Sequence, residues 1–144
     1  MTTRILVLCT GNSCRSQMAE GFLQSFDPAL EVYSAGVEPA SRVSPRAIAA
    51  MKEVGIDISR HTPKNVRQFL THSFDYVITV CDDANETCPV FIGKVKHRLH
   101  MGFSDPTWTM GPEEEIVSEH RRVRDQIGSA FRKFYDESLK GTEA

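Results

Sequence analysis

The feature that most limits what this chain can become is a junction near its start. Ile5, Leu6, Val7 and Leu8 form an unbroken apolar run that leads straight into Cys9-Thr-Gly-Asn-Ser-Cys-Arg15-Ser16. A strand without polar alternation has no wet face, so it predicts a parallel strand buried inside a sheet. The residues that follow are polar, carry one Gly and open a helix. A loop between a buried strand and a helix can curl its backbone N–H groups inward and form an anion nest at the helix's positive end.

The rest of the chain supplies partners for that strand. Ser16 to Phe26 sets Met18, Phe22, Leu23 and Phe26 at helical spacing before Asp27 and Pro28 stop it. Leu30 to Ser34 alternates as a strand, closed by Ala35 and Gly36. Ser44 and Pro45 predict an N-cap with proline in the first turn, and Gly55 a natural stop. A weaker amphipathic piece covers about 64–71, a third strand runs from Asp75 to Val80, and a fourth from about Val95 to Met101. The last helix begins near Pro112 and runs to about Leu139, with Ile116, Val123, Ile127, Phe131 and Phe134 on one face. Strands alternating with helices predict an α/β fold with a mainly parallel sheet covered on both faces, which binds ligands at the carboxyl ends of its strands. Cys9, Cys81 and the loop bearing Asp105 all follow predicted strands.

With 144 residues, one domain is expected over 1–139, followed by a short flexible tail at 140–144. No apolar run approaches the roughly 20 residues of a bilayer span, and no leader pattern precedes the first strand, so a cytoplasmic protein is expected. A net charge of −2 with mixed signs gives no general pull toward nucleic acid or membrane. Any anion must be bound locally.

Cys9, Cys14, Cys81 and Cys88 are the unusual part of the composition. A chain of this size in a reducing compartment does not need structural staples. Zinc fits poorly as well, since four residues lie inside the first cysteine pair and six inside the second. His61, His72, His97, His100 and His120 are scattered without ligand spacing, so no metal is expected. Inert buried thiols or nucleophilic and redox chemistry remain. Arg15 offers a planar fork matched to two oxygens of a tetrahedral anion. Cys9 at the mouth of the nest would meet amide dipoles and that guanidinium, both of which favour a thiolate. Ser13 and Ser16 read either as cap residues or as hydroxyls bracing the loop and its sulfur. Arg121, Arg122 and Arg124 read as the wet face of the last helix, and Trp108 as packing or as a wall near Asp105.

The motif of Cys9, five residues, Arg15 and Ser16 resembles the active-site loop of the low-molecular-weight protein tyrosine phosphatase superfamily. The longer run Cys9 to Glu20 is more similar to the thioredoxin-coupled arsenate reductases within it. Tyr33-Ser-Ala-Gly36, Gly55-Ile-Asp-Ile-Ser59 with His61-Thr62, Val80-Cys81-Asp82 and Asp105-Pro106 extend the likeness over nearly the whole chain. The resemblance implies a four-stranded parallel sheet flanked by helices. It also implies arsenate held by Thr10, Gly11, Asn12, Ser13, Cys14, Arg15 and Ser16, attack by Cys9, and Asp105 as general acid.

Cys81 and Cys88 separate a reductase from a phosphatase, which needs no second thiol. The resemblance implies a Cys9–Cys81 and then a Cys81–Cys88 disulfide, re-reduced by thioredoxin with electrons from NADPH through thioredoxin reductase, with no bound cofactor. It implies a monomer acting on its small oxyanion, with weak phosphatase side activity. Tyrosine phosphatase activity is the alternative, and a non-catalytic anion-binding or redox-sensing module is a third class. The polar stretch from Asp82 to Gly93 reads as a segment able to move and to dock the reductant, its acids repelling an incoming anion. Some family members hold potassium with an Asn, a Glu, a Ser and a further acid. Here Asn12, Glu20 and Ser34 are present, but Lys64 stands where that acid would be.

Overall fold

A computed structural model of the chain describes residues 2–82 and 85–140. Residues 141–144 of the expected tail, and Asp83 and Ala84 between the last two cysteines, lie outside the described residues.

Ile5, Leu6, Val7 and Leu8 are each fully buried, which explains why their run carries no polar alternation. Their strand, β1 (Arg4–Cys9), lies inside a four-stranded sheet with β2 (Glu31–Gly36), β3 (Ser73–Thr79) and β4 (Lys94–His100). The order is β2-β1-β3-β4 and every neighbour pair is parallel. Side chains alternate between two faces along β1. Ile5, Val7 and Cys9 join Met18, Leu23, Ile127 and Phe131 in the larger core, whereas Leu6 and Leu8 join Phe69, Phe74, Val77 and Phe91 in the smaller one.

Helices α1 (Arg15–Phe26), α2 (Pro45–Glu53) and α3 (Glu113–Phe134) contribute to the larger core. Among the described residues, the helical cover of the other face is a single 3-10 turn, Val66–Phe69, where the sequence predicts a weak amphipathic piece. Ser44 caps α2 by accepting from the amide of Ala47, with Pro45 at the first position. Gly55, at φ +82, lets the chain leave it. Glu113, Glu114 and Glu115 open α3, and Arg132 and Lys133 close it, both in the sense the helix dipole favours. α3 ends five residues before the predicted Leu139. From Tyr135 to Leu139 the turn widens to π geometry, with the Lys140 amide bonding the Tyr135 carbonyl at 2.8 Å.

Arg124 departs from the expected wet face. It is only 8% exposed and donates to the Ala50 carbonyl at 2.9 Å and to Glu53 at 2.7 Å, clamping α3 onto α2. No helix among the described residues is long and apolar enough to cross a membrane.

The sheet's main contribution to a site is its register. Leu8 stands beside Thr79, and the Val80 amide donates to the Leu8 carbonyl at 2.9 Å. Cys9 follows Leu8 and Val80-Cys81 follow Thr79, so the two cysteines leave neighbouring strands at the same end of the sheet, Cys81 one position further along.

Candidate active site

Between β1 and α1, the carbonyls of Thr10, Gly11 and Ser13 are held from outside by the amides of Glu38, Ala40 and Ser44 at 3.0, 2.9 and 2.8 Å. With those carbonyls occupied, the loop is free to present amides to its interior, as Asn12 does by donating to Cys9 Sγ at 3.2 Å. This curl requires a left-handed residue, and Asn12 supplies it at φ 50. Asn12 is fully buried. Its carboxamide oxygen accepts from the Lys64 amide at 2.9 Å and Gln17 Nε2 at 3.1 Å, while its Nδ2 donates to Ser16 Oγ at 2.8 Å. Ser16 Oγ in turn lies 2.8 Å from Cys9 Sγ. The Ser16 hydroxyl therefore braces the sulfur rather than capping the helix. Gly36 presses against the Thr10 carbonyl so closely that a Cβ would overlap it.

The loop lines a cavity of about 190 Å³ together with Glu86, Asp105 and Trp108. Thr10, Gly11, Asn12, Ser13, Cys14 and Arg15 all border it with Cys9. Cys9 and Cys14 are free thiols, both buried. Burial, reinforced by the negative charge of Asp105, pushes the Cys14 thiol well above its ordinary range, so it stays protonated and unreactive.

Arg15 is 3% exposed. Its guanidinium donates to the Phe103 carbonyl at 3.1 Å, lies 3.4 Å from Asp105 Oδ2, and forms an ion pair with Glu86. Burial alone would lower its pKa, but the hydrogen bond to Glu86 and the charges of Asp105 and Glu86 raise it, which keeps it cationic. The two oxygens of Asp105 are differentiated. Oδ1 accepts from the Thr107 amide at 2.9 Å and its hydroxyl at 2.6 Å, leaving Oδ2 turned toward Arg15. Trp108 stands at the rim, 59% exposed.

Cys81 and Cys88 are joined in a disulfide with Cα atoms 5.8 Å apart. Cys81 is fully buried. His100 is the one side chain among the described residues that completes a metal-sized group with them, its ring nitrogen and the two sulfurs lying within 4.8 Å of one another. At the candidate potassium position, Ser34 donates to Glu20 at 2.7 Å, and Lys64 Nζ lies 4.0 Å from the same carboxylate. The Lys64 ammonium thus faces Glu20, whose other oxygen lies 3.4 Å from His61 Nδ1.

Three contributors escape sequence reasoning. Glu86 was expected on a repelling, solvent-facing segment, yet its carboxylate reaches into the cavity and binds Arg15 and Thr10. Its only signal is an acid two residues before a cysteine that must approach the loop. Gln17 ties Asn12 to the Thr62 carbonyl at 3.1 Å, and His61 Nδ1 lies 3.0 Å from Gln17 Oε1. A second cleft, of about 460 Å³ between α2 and α3, is lined by the Arg46–Glu113 and Arg121–Glu53 pairs and contains no nucleophilic thiol.

A parallel sheet with a buried cysteine and arginine cradled by one strand-to-helix loop defines a class. Residues 4–143 match the family model of low molecular weight phosphotyrosine protein phosphatase, and the chain belongs to that family. Within it, the chain is 49% identical over 131 residues to an arsenate reductase of Shouchella clausii, covering 90% of this chain and 93% of that one. A solved arsenate reductase in a phosphate-binding state superposes with a TM-score of 0.73 at 31% identity, over 94% of this chain and 98% of the other. A thioredoxin-dependent arsenate reductase of Corynebacterium glutamicum gives a TM-score of 0.57 at 28% identity, over 92% of this chain and 63% of that one.

Proposed function

We propose that the chain reduces arsenate to arsenite and passes the resulting oxidation through three cysteines to an external dithiol. The observation that carries this reading is the Cys81–Cys88 disulfide, one strand away from Cys9. Arg15 and the loop from Thr10 to Ser16 hold the oxyanion. Cys9 Sγ attacks arsenic, and Asp105 protonates the departing oxygen so that it leaves as water. Cys81 Sγ then attacks Cys9 Sγ. The electron pair of the As–S bond departs with arsenic, which falls from the +5 to the +3 state as a Cys9–Cys81 disulfide forms. Cys88 attacks Cys81 next, freeing Cys9 and leaving the Cys81–Cys88 bond. The two electrons lost by the thiols equal the two gained by arsenic.

Cys81 cannot bond both partners at once, because a disulfide requires Cα atoms within about 7 Å and consumes the sulfur. Thioredoxin is the reductant in this reading, supported by the named likeness to a thioredoxin-dependent enzyme, with NADPH supplying electrons through thioredoxin reductase and no cofactor held by the chain. The protein acts as a monomer in the cytoplasm. Phosphate shares arsenate's shape and charge, so slow aryl-phosphate hydrolysis accompanies the main activity.

The test follows arsenite formation from arsenate with thioredoxin, thioredoxin reductase and NADPH. Arsenite released over many turnovers supports the reading. Background arsenite alongside brisk aryl-phosphate hydrolysis makes the chain a phosphatase instead.

A further inference from the structure

The cavity built for an oxyanion already contains an anion of the protein's own. Glu86 Oε2 accepts from Arg15 Nη2 and from Thr10 Oγ1, each at 3.1 Å, while Oε1 pairs with Arg15 and accepts from the Asp82 amide at 2.6 Å. The Glu86 side chain is 9% exposed. Its two oxygens meet the guanidinium fork where two oxygens of a tetrahedral anion would meet it. Burial would favour the neutral acid, but Arg15, the Asp82 amide and Thr10 together hold the carboxyl below its ordinary range, so the group is ionised.

We propose that Glu86 is a built-in stand-in for the oxyanion, occupying Arg15 while the Cys81–Cys88 disulfide is closed and surrendering it once the pair is reduced. The inference rests on the reductase reading and adds an order to its steps. If arsenate bound Cys9 while Cys81 was still bonded to Cys88, no thiol could take the arsenic's place on Cys9, and the site would stall. Occupation of Arg15 by Glu86 excludes that event.

The linkage between disulfide and carboxylate is covalent and short. Glu86 lies two residues from Cys88, and the disulfide ties that end of the segment back to Cys81 at the sheet edge. A tethered group competes at an effective concentration set by its tether, in the millimolar range for short connections. Releasing Cys88 lengthens the tether and lowers that concentration. A dithiol reductant accomplishes this by giving two electrons and two protons, becoming a disulfide itself while Cys81 and Cys88 become thiols. By reciprocity, an oxyanion that prefers the dithiol form must favour reduction by the same factor.

Inorganic phosphate serves as the probe, since it binds without being reduced. Calorimetry on the full chain in its dithiol and disulfide forms is expected to show phosphate held at least tenfold more weakly by the disulfide form. Glu86→Gln and Glu86→Ala should both abolish that difference by tightening the disulfide form. Saturating phosphate should also shift the Cys81–Cys88 midpoint potential upward in the wild type, by about 30 mV for each tenfold of discrimination, and leave it unmoved in both variants. Equal phosphate affinity in the two wild-type forms, or discrimination that survives both substitutions, overturns the proposal. Neither measurement requires turnover, so an absence of arsenite in the coupled assay defeats the reductase reading without mimicking either result.

Discussion

The amide of Asn12 donates to the sulfur of Cys9 across 3.2 Å, from a backbone held at φ 50. One residue therefore sets both the curl of the loop and the environment of its nucleophile. Replacing Asn12 by Ala retains the amide but removes every side-chain bond that maintains the left-handed turn. It leaves the Lys64 amide without its acceptor, at about 1–3 kcal/mol for such a buried donor. Asn12→Ala should lower the chemical-denaturation midpoint and slow arsenate turnover together, whereas a purely local loss would lower turnover alone.

Cys88→Ser should permit about one turnover and then stop, because the last thiol of the relay is missing. Mass-spectrometric mapping should find Cys9 bonded to Cys81. Sustained turnover by this variant would remove Cys88 from the mechanism.

Asp105→Asn keeps a group that accepts from Thr107 but has no acidic proton to give. Loss of general-acid help is worth about 10²–10⁴ in rate. The expected result is a fall of that size in the rate of the first chemical step in single-turnover kinetics, with phosphate affinity changed far less.

Acid stability should report the α2–α3 clamp. Glu53 is held at about 2, through hydrogen bonds from Arg121 and then Arg124 that outweigh its desolvation. A carboxylate depressed in the folded state contributes its stabilisation fully above its unfolded value of about 4.5 and loses it as pH falls toward the folded one. Thermal melts of Glu53→Gln should therefore lie below wild type at neutral pH and converge with it between about pH 4.5 and 2. A constant gap across that window would assign the effect to packing.

Gly36→Ala adds a Cβ that overlaps the Thr10 carbonyl. Such overpacking typically costs about 1–3 kcal/mol. Weaker phosphate binding should accompany the lowered melting temperature, because the displaced atom belongs to the anion loop.

These outcomes depend on elements that were unequally legible in the sequence. β1 could be read because burial on both faces erases alternation, and the start of α2 because Ser44 and Pro45 act on their own helix. The strand-to-helix loop was legible from Cys9, Arg15 and their spacing. Arg124 was not: three residues before Ile127 it borders the apolar stripe, but a basic side chain there reads as the edge of a wet face until Ala50 and Glu53 are seen to receive it. Glu86 failed for the same reason, since its partner Arg15 is 71 positions away. Side chains whose roles come from distant elements leave no local pattern.

The parallel pairing that sets Leu8 beside Thr79 also divides the disulfides by their dependence on the fold. Cys81 and Cys88 are seven positions apart, and an unfolded chain can bring them together at small entropic cost. Cys9 and Cys81 meet only after β1 and β3 have paired across some seventy intervening residues, with the register intact. Oxidising equivalents therefore pass from a bond that only the native sheet can make to one that the bare peptide can make, so the first exchange of the relay is itself a chemical assay for correct folding.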